Sequence, residues 1–263
     1  MDESAGGIFT GERLVADDLL FAADFARHLV AYRFAQQWVR GKSVLDAGCG
    51  DGYGTELLAQ HAARAVGVDR SAETIAVARQ RYRRANLEYR VCDLHRLADL
   101  HDSFDVVSHF QVIEHLHDPV PFLRQARQVL QPGGALIITT PNRLNSFVEN
   151  PYHVHEYLAA ELRQLLSQVF DQIEILGVCG NDKVMTFERQ RGVQAKRILR
   201  LDPLGLRNLL PRRVVEWAYA RLARVVRRRI HSAEPGVTAI GVDDFSIGND
   251  AEASLDLLAI CRA

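Results

Sequence analysis

Cysteine is scarce in this chain of 263 residues: Cys49, Cys92, Cys179 and Cys261 are scattered, without the close pairs of a zinc site or the density of a disulfide scaffold. Reduced thiols in a cytoplasmic protein are the expectation. No apolar run approaches the ~20 residues that cross a bilayer. Met1-Asp2-Glu3-Ser4 lacks the basic flank and apolar core of a secretory leader, so the sequence predicts a soluble protein. Net charge is also missing: 32 basic residues meet 33 acidic ones, and the formal balance of -1 gives no general attraction to nucleic acid. What remains is an ordinary globular composition, 48% hydrophobic and 25% charged, long enough for one large domain or a core with an elaboration.

The most informative stretch is Val44 to Gly54, Val-Leu-Asp-Ala-Gly-Cys-Gly-Asp-Gly-Tyr-Gly. A short strand runs into four alternating glycines, and Thr55 to Gln60 can start a helix, so the turn predicts a ligand held over a helix N-terminus. It lacks the spacing of a dinucleotide site. Counting Gly-x-Gly-x-x-Gly from Gly48 or from Gly50, the third glycine position falls on Tyr53 or Thr55. An acidic partner is nonetheless present: Ala65-Val66-Gly67-Val68 reads as a second strand ending in Asp69, at about the 20-residue offset where a carboxylate accepts hydrogen bonds from a ribose diol.

Strand and helix patterns alternate from Ser43 onward: strands at 44–47, 65–68, 87–91, 104–108 and 134–140, helices at 53–62, 72–84 and 119–130. Such alternation predicts an α/β fold with a mostly parallel, doubly wound sheet, and its ligands belong at the carboxyl ends of the strands, where Gly48, Asp69, Asp93 and Gln111 fall. Upstream, a helical pattern spans about 19–39. Downstream come a helix at 159–169, a strand at 173–178, helical segments near 189–200 and 211–230, and an irregular stretch at 233–249.

Five stations in order resemble the class I S-adenosylmethionine-dependent methyltransferases: Val44 to Gly54, Val66 to Asp69, Cys92-Asp93, Phe104-Asp105-Val106-Val107 with Val112-Ile113-Glu114-His115-Leu116, and Leu130 to Ile138 with its Pro132-Gly133-Gly134 turn. The resemblance implies a Rossmann-like sheet of about seven strands whose last member is antiparallel, and Leu255 to Cys261 is the candidate for that strand. It divides the chain into an N-terminal arm and helix (1–42), a donor-binding core (43–179), a helical basic insertion (180–254) and the final core strand (255–263). It also implies S-adenosylmethionine as co-substrate, with Asp46, Gly48, Cys49 and Gly50 of the turn, Asp69 with Arg70, Asp93 with Leu94, and Gln111 as the donor site.

A sulfonium is already an activated methyl donor, so the protein need supply alignment and, for a hydroxyl acceptor, a base. The candidate bases are His115, His153, His155 and Glu156. The Glu114-His115 pair is similar to that of the ubiquinone-biosynthesis O-methyltransferases, where a preceding acid completes a proposed metal site; here that position is Gln111, a poorer ligand for a hard cation, so no metal is expected. Residues 150–157 resemble the acceptor-side loop of bacterial methyltransferases acting on sugars and other glycosylated products, which implies O-methylation of a small-molecule or glycan acceptor. For Tyr53 and His28, packing is the better reading. The arginine-rich helix at 211–230 is amphipathic and suits an anionic membrane surface, an acidic acceptor, a homodimer contact or simple docking with a solvated basic face. Two other function classes stay open on sequence: a nicotinamide-dependent oxidoreductase or epimerase, and a non-catalytic partner protein working through the basic insertion.

Overall fold

The computed structural model describes residues 22–146, 150–199, 221 and 240–263. The expectations for the arm before residue 22 and for the basic helix at 211–230 lie outside the described residues.

Helix α1 (Ala22–Val39) leads into β1 (Ser43–Ala47), followed by α2 (Tyr53–Ala59), β2 (Arg64–Asp69), α3 (Ala72–Arg81), β3 (Leu87–Val91), β4 (Phe104–Phe110), α4 (Val120–Val129) and β5 (Leu130–Pro141). Then come α5 (Ala159–Leu166), β6 (Gln172–Gly180), α6 (Asp182–Leu199), β7 (Phe245–Gly248) and β8 (Asp256–Arg262). The strands form one sheet in the order β3-β2-β1-β4-β5-β8-β6-β7. Pairing is parallel from β3 through β5, whereas β8 runs antiparallel to both β5 and β6. The sheet is thus the doubly wound α/β arrangement with a reversed final strand.

Three details depart from the sequence reading. The sheet has eight strands rather than about seven, because the stretch expected to be irregular at 233–249 supplies β7; four residues are too short a run to announce a strand by alternation. The helix expected near 189–200 begins earlier, at Asp182, where Asn181 Oδ1 accepts the Val184 amide. Residues Leu94–Leu100, where the sequence reading places no element, form 3-10 turns.

Sequence explains why both faces are covered. In β1, Val44 packs with Ala35, Val39, Leu58 and Ile260, while its neighbour Leu45 packs on the opposite face with Phe104, Phe122, Leu136 and Leu257. Burial on both faces turns strand sequences into near-continuous apolar runs. A polar residue in such a run therefore stands out, and β1 has one among its four buried positions, Asp46.

The chain clusters into two compact units. One comprises residues 28–145, 154–179 and 246–263 and holds nearly all of the sheet; the other comprises residues 1–27, 146–153 and 180–245. Within the second, Arg191 bridges Asp24 at 2.8 Å, and Lys183 and Asn181 both bond the Asp244 carboxylate. No helix among the described residues is long and apolar enough to cross a membrane.

Candidate functional site

The strand order places four loops side by side along the carboxyl edge of the parallel sheet: those after β3, β2, β1 and β4, carrying Asp93, Asp69, the glycine turn and Gln111. Ligands of open α/β sheets sit on this edge.

Asp46 is the hub beneath the turn. Its side chain is 1% exposed, and its carboxylate accepts hydroxyl hydrogens from Thr55 at 2.7 Å, Ser108 at 2.8 Å and, more loosely, Tyr32 at 3.3 Å. Burial pushes the carboxyl up to about 6, against the opposing pull of the three hydroxyls. Its hydrogen bonds to α1, α2 and β4 make it a group that fixes the turn rather than one that reaches outward.

The turn itself uses its amides internally. Those of Gly48 and Cys49 both donate to the Val68 carbonyl, and that of Gly52 donates to Cys49. These three amides are therefore already engaged by the fold and are not offered to a ligand. A side chain at Gly48, Gly52 or Gly54 would collide with Val112, Tyr89 or Tyr32 respectively. Gly50 differs: its φ of 55° lies in the left-handed region, yet nothing lies within 4 Å of where a Cβ would stand. Open space above this glycine is where a ligand can approach the backbone. The Cys49 side chain is 3% exposed and burial pushes its thiol up, as do Asp46 and Asp69, so it fills space and stays protonated.

Asp69 ends β2 half-buried, and its Oδ1 accepts the Ser71 amide at 2.8 Å, which sets the carboxylate at the mouth of the strand. Arg70 beside it is exposed. Asp93 is exposed and caps the following 3-10 turn, accepting the His95 amide at 2.9 Å, while Leu94 leans on the core. Gln111 follows β4 with φ 55°, uncommon for a residue with a side chain, and its amide donates to Thr139. Such outliers concentrate at functional sites.

Past β4, a 3-10 turn (Ile113–His115) buries Glu114 to 1% exposure. Its Oε2 accepts the Thr140 hydroxyl at 3.1 Å, and its Oε1 lies 3.9 Å from Nε2 of the half-buried His115. The main-chain carbonyl of Glu114 accepts the amides of Val154 and His155, fastening the later loop to this turn. Glu156 is half-buried, with its carbonyl 3.4 Å from Arg143 Nη1, and His155 turns to Glu161 at 3.5 Å. His153 belongs to the second unit, where its Nε2 lies 2.8 Å from Asn150 Nδ2.

Sequence reasoning missed the partners of Asp46. Tyr32, Thr55 and Ser108 carry no motif; the signal available was the alternation that faces Ser108 and Asp46 to one side of neighbouring strands. It also missed His109, fully buried and stacked on Phe122 at 4.0 Å between centroids. His109 Nδ1 lies 2.7 Å from the Ala47 carbonyl, and burial lowers its pKa to about 4, so it is neutral.

Comparison with known proteins places these features in context. Residues 45–138 match the family described as "Methyltransferase domain". A protein of Mycolicibacterium smegmatis, named as a probable S-adenosylmethionine-dependent methyltransferase, is 33% identical over 95% of this chain and 93% of its own length. A ubiquinone biosynthesis O-methyltransferase of Coxiella burnetii is 34% identical over 43% of this chain and 50% of its own. Among solved structures, an S-adenosylmethionine-dependent methyltransferase from Mesorhizobium loti shares the fold, with a TM-score of 0.54 at 18% identity over 92% of this chain and 100% of its own.

Proposed function

Since this chain belongs to the S-adenosylmethionine-dependent methyltransferases, we propose that it moves the methyl group of S-adenosylmethionine to a hydroxyl of a small-molecule or glycosylated acceptor. The observation that carries the acceptor half is the Glu114–His115 pair. A buried carboxylate, held by the Thr140 hydroxyl, stands 3.9 Å from a half-buried imidazole just past the sheet edge. That pairing suits proton removal from a hydroxyl as the oxygen attacks the methyl carbon, because the carboxylate stabilises the imidazolium that forms. A proton acceptor of this kind needs no metal for its task. The partial likeness to a ubiquinone-biosynthesis O-methyltransferase points the same way.

In this reading Asp69 receives the ribose, Asp93 and Leu94 lie toward the adenine, and the methionine end lies over Gly50. Transfer of labelled methyl to alcohols, phenols and glycosides, but not to amines or carboxylates, is the expected result of an acceptor screen; transfer confined to nitrogen or carbon would sink the reading. His115→Ala is expected to lower turnover by roughly 10²-fold at unchanged donor affinity. Unchanged turnover would show that alignment alone suffices.

Gly50→Ala separates ligand space from folding. The substitution strains one left-handed residue, about 1 kcal/mol, and collides with nothing. The variant is therefore expected to fold with a melting temperature a few degrees lower and to bind S-adenosylhomocysteine at least ~10-fold more weakly by calorimetry. Full affinity would move the donor off this turn.

A further inference from the structure

The parallel part of the sheet comes apart at one seam. Strand β1 stays paired with β2 up to Ala47 and Val68, and β4 stays paired with β5 up to Phe110 and Thr139. The pairing of β1 with β4 stops earlier, at Asp46 and Ser108. The strand order also turns back here: β1, β2 and β3 follow one another outward, and β4 returns to the other side of β1. Ligands of open α/β sheets bind above such a reversal.

His109 of β4 stands in this split. Its ring stacks on Phe122 of α4 and brings Nδ1 to 2.7 Å from the carbonyl of Ala47, the last residue of β1. A carbonyl only accepts, so Nδ1 carries the ring's hydrogen and donates it, which leaves a lone pair on Nε2 of the neutral imidazole. Nε2 is buried and has no hydrogen-bond partner among the described residues. A buried lone pair left unmet costs stability, and a phenylalanine would fill the same space without one. What the imidazole adds in return is the bond to Ala47.

We infer that His109 is a positioning residue for methyl transfer, holding the base of the glycine turn across the split by a side-chain bond where the β1–β4 ladder has ended. From the β2 side, the Val68 carbonyl fastens the Gly48 and Cys49 amides. From the β4 side, His109 fastens the carbonyl one residue earlier. The turn is thus gripped by both neighbouring strands, and His109 sits six residues before His115 on the segment that carries the base. Donor and base then keep a fixed separation, which matters because a misplacement of about 1 Å can cost on the order of 10²-fold in rate. The inference rests on the reading that the donor lies over this turn.

Two substitutions separate positioning from packing. His109→Phe keeps an aromatic ring against Phe122 and removes both the Nδ1 hydrogen and the unmet lone pair, so its melting temperature is expected to stay within a few degrees. His109→Asn keeps an N–H where Nδ1 stood but gives up the ring, so it is expected to melt several degrees lower. Donor binding is expected in the opposite order: by calorimetry with S-adenosylhomocysteine, roughly 10-fold weaker for His109→Phe and within about 3-fold of the unsubstituted protein for His109→Asn. Amide exchange at Gly48 and Cys49 is expected to quicken in His109→Phe ahead of that in β2. Affinity for His109→Asn equal to or below that for His109→Phe overturns the inference. Nitrogen NMR of the unsubstituted protein, which needs no variant to fold, is expected to show the Nδ1–H tautomer at neutral pH; the Nε2–H tautomer overturns the inference as well. If the unsubstituted protein fails to bind S-adenosylhomocysteine, the donor reading falls, while the tautomer and the exchange of the turn amides still test the tether.

Discussion

Asp46→Ala is expected to cost roughly 3–5 kcal/mol of stability, the range for breaking a buried ionic or hydrogen-bonded network from one side. Three hydroxyls, those of Tyr32, Thr55 and Ser108, would lose a shared acceptor in a site 1% exposed. The elements that carry them, α1, α2 and β4, are those that frame the glycine turn, so donor affinity is expected to fall with stability. Urea denaturation and calorimetry on the same samples check both. A variant that keeps full stability would show that water reaches the site and replaces the carboxylate.

Asp46→Asn gives the complementary measurement. The folded-state value of about 6 lies above the unfolded value of 3.8, so between these two the native state holds more protons than the unfolded one. Stability from this group is present in full below about pH 4 and is lost as pH rises through 6, a swing of roughly 3 kcal/mol. Asp102, Glu88 and Asp105 oppose it, because arginine pairing or hydrogen bonding lowers their values. The difference between the two proteins isolates Asp46: the advantage of the native chain over Asp46→Asn is expected to shrink from pH 4 to pH 6 and stay flat above. A difference that grows with pH would reverse the assignment.

The second large effect is expected at Asn142, at the end of β5. Its side chain is fully buried, and Nδ2 lies within 2.8–3.1 Å of the carbonyls of Ala251, Glu252 and Ser254, while Oδ1 accepts the Leu144 amide. Its main-chain amide donates to Leu255. One side chain therefore gathers the loop that delivers β8 into the sheet. Asn142→Ala is expected to cost roughly 2–4 kcal/mol and to speed amide exchange in residues 251–258 before the rest of the sheet. Asn145 also donates to Glu252 and Ser254, and its loss alone is expected to cost less than about 1 kcal/mol because Asn142 remains. Uniform exchange across the sheet in Asn142→Ala would contradict a local clamp.

The legible parts of this fold were those written in short windows. Strand and helix alternation, the glycine turn and Asp69 at the end of β2 each need only neighbouring residues to be read. The partners of Asp46 could not be read that way, since Tyr32, Thr55 and Ser108 come from three elements and meet only after the sheet has formed. Asp93 shows a different limit: the residue that resembles an adenine contact also caps the 3-10 turn after β3, and a capping aspartate and a binding aspartate look alike in sequence. Glycines carry the same ambiguity. Four alternate in the turn, but three are required by Val112, Tyr89 and Tyr32, and only Gly50 opens on empty space. His28 and Tyr53 lie 25 residues apart, so packing was the better reading at each and the hydrogen bond between them was not legible.

The position of β8 has a kinetic side. Strands β1 to β5 can pair as the chain lengthens, since none of their mutual pairings needs a segment later than β5, but β6 reaches the sheet through β8, which lies beyond residues 181–255. Closing a loop of that size carries an entropy cost on the order of 4 kcal/mol before its contacts repay it. Until then β5 and β6 each present an open edge of unpaired amides and carbonyls, the kind of surface on which partly folded chains pair with one another. Refolding yield, more than native stability, should therefore be the property most sensitive to changes in residues 256–262.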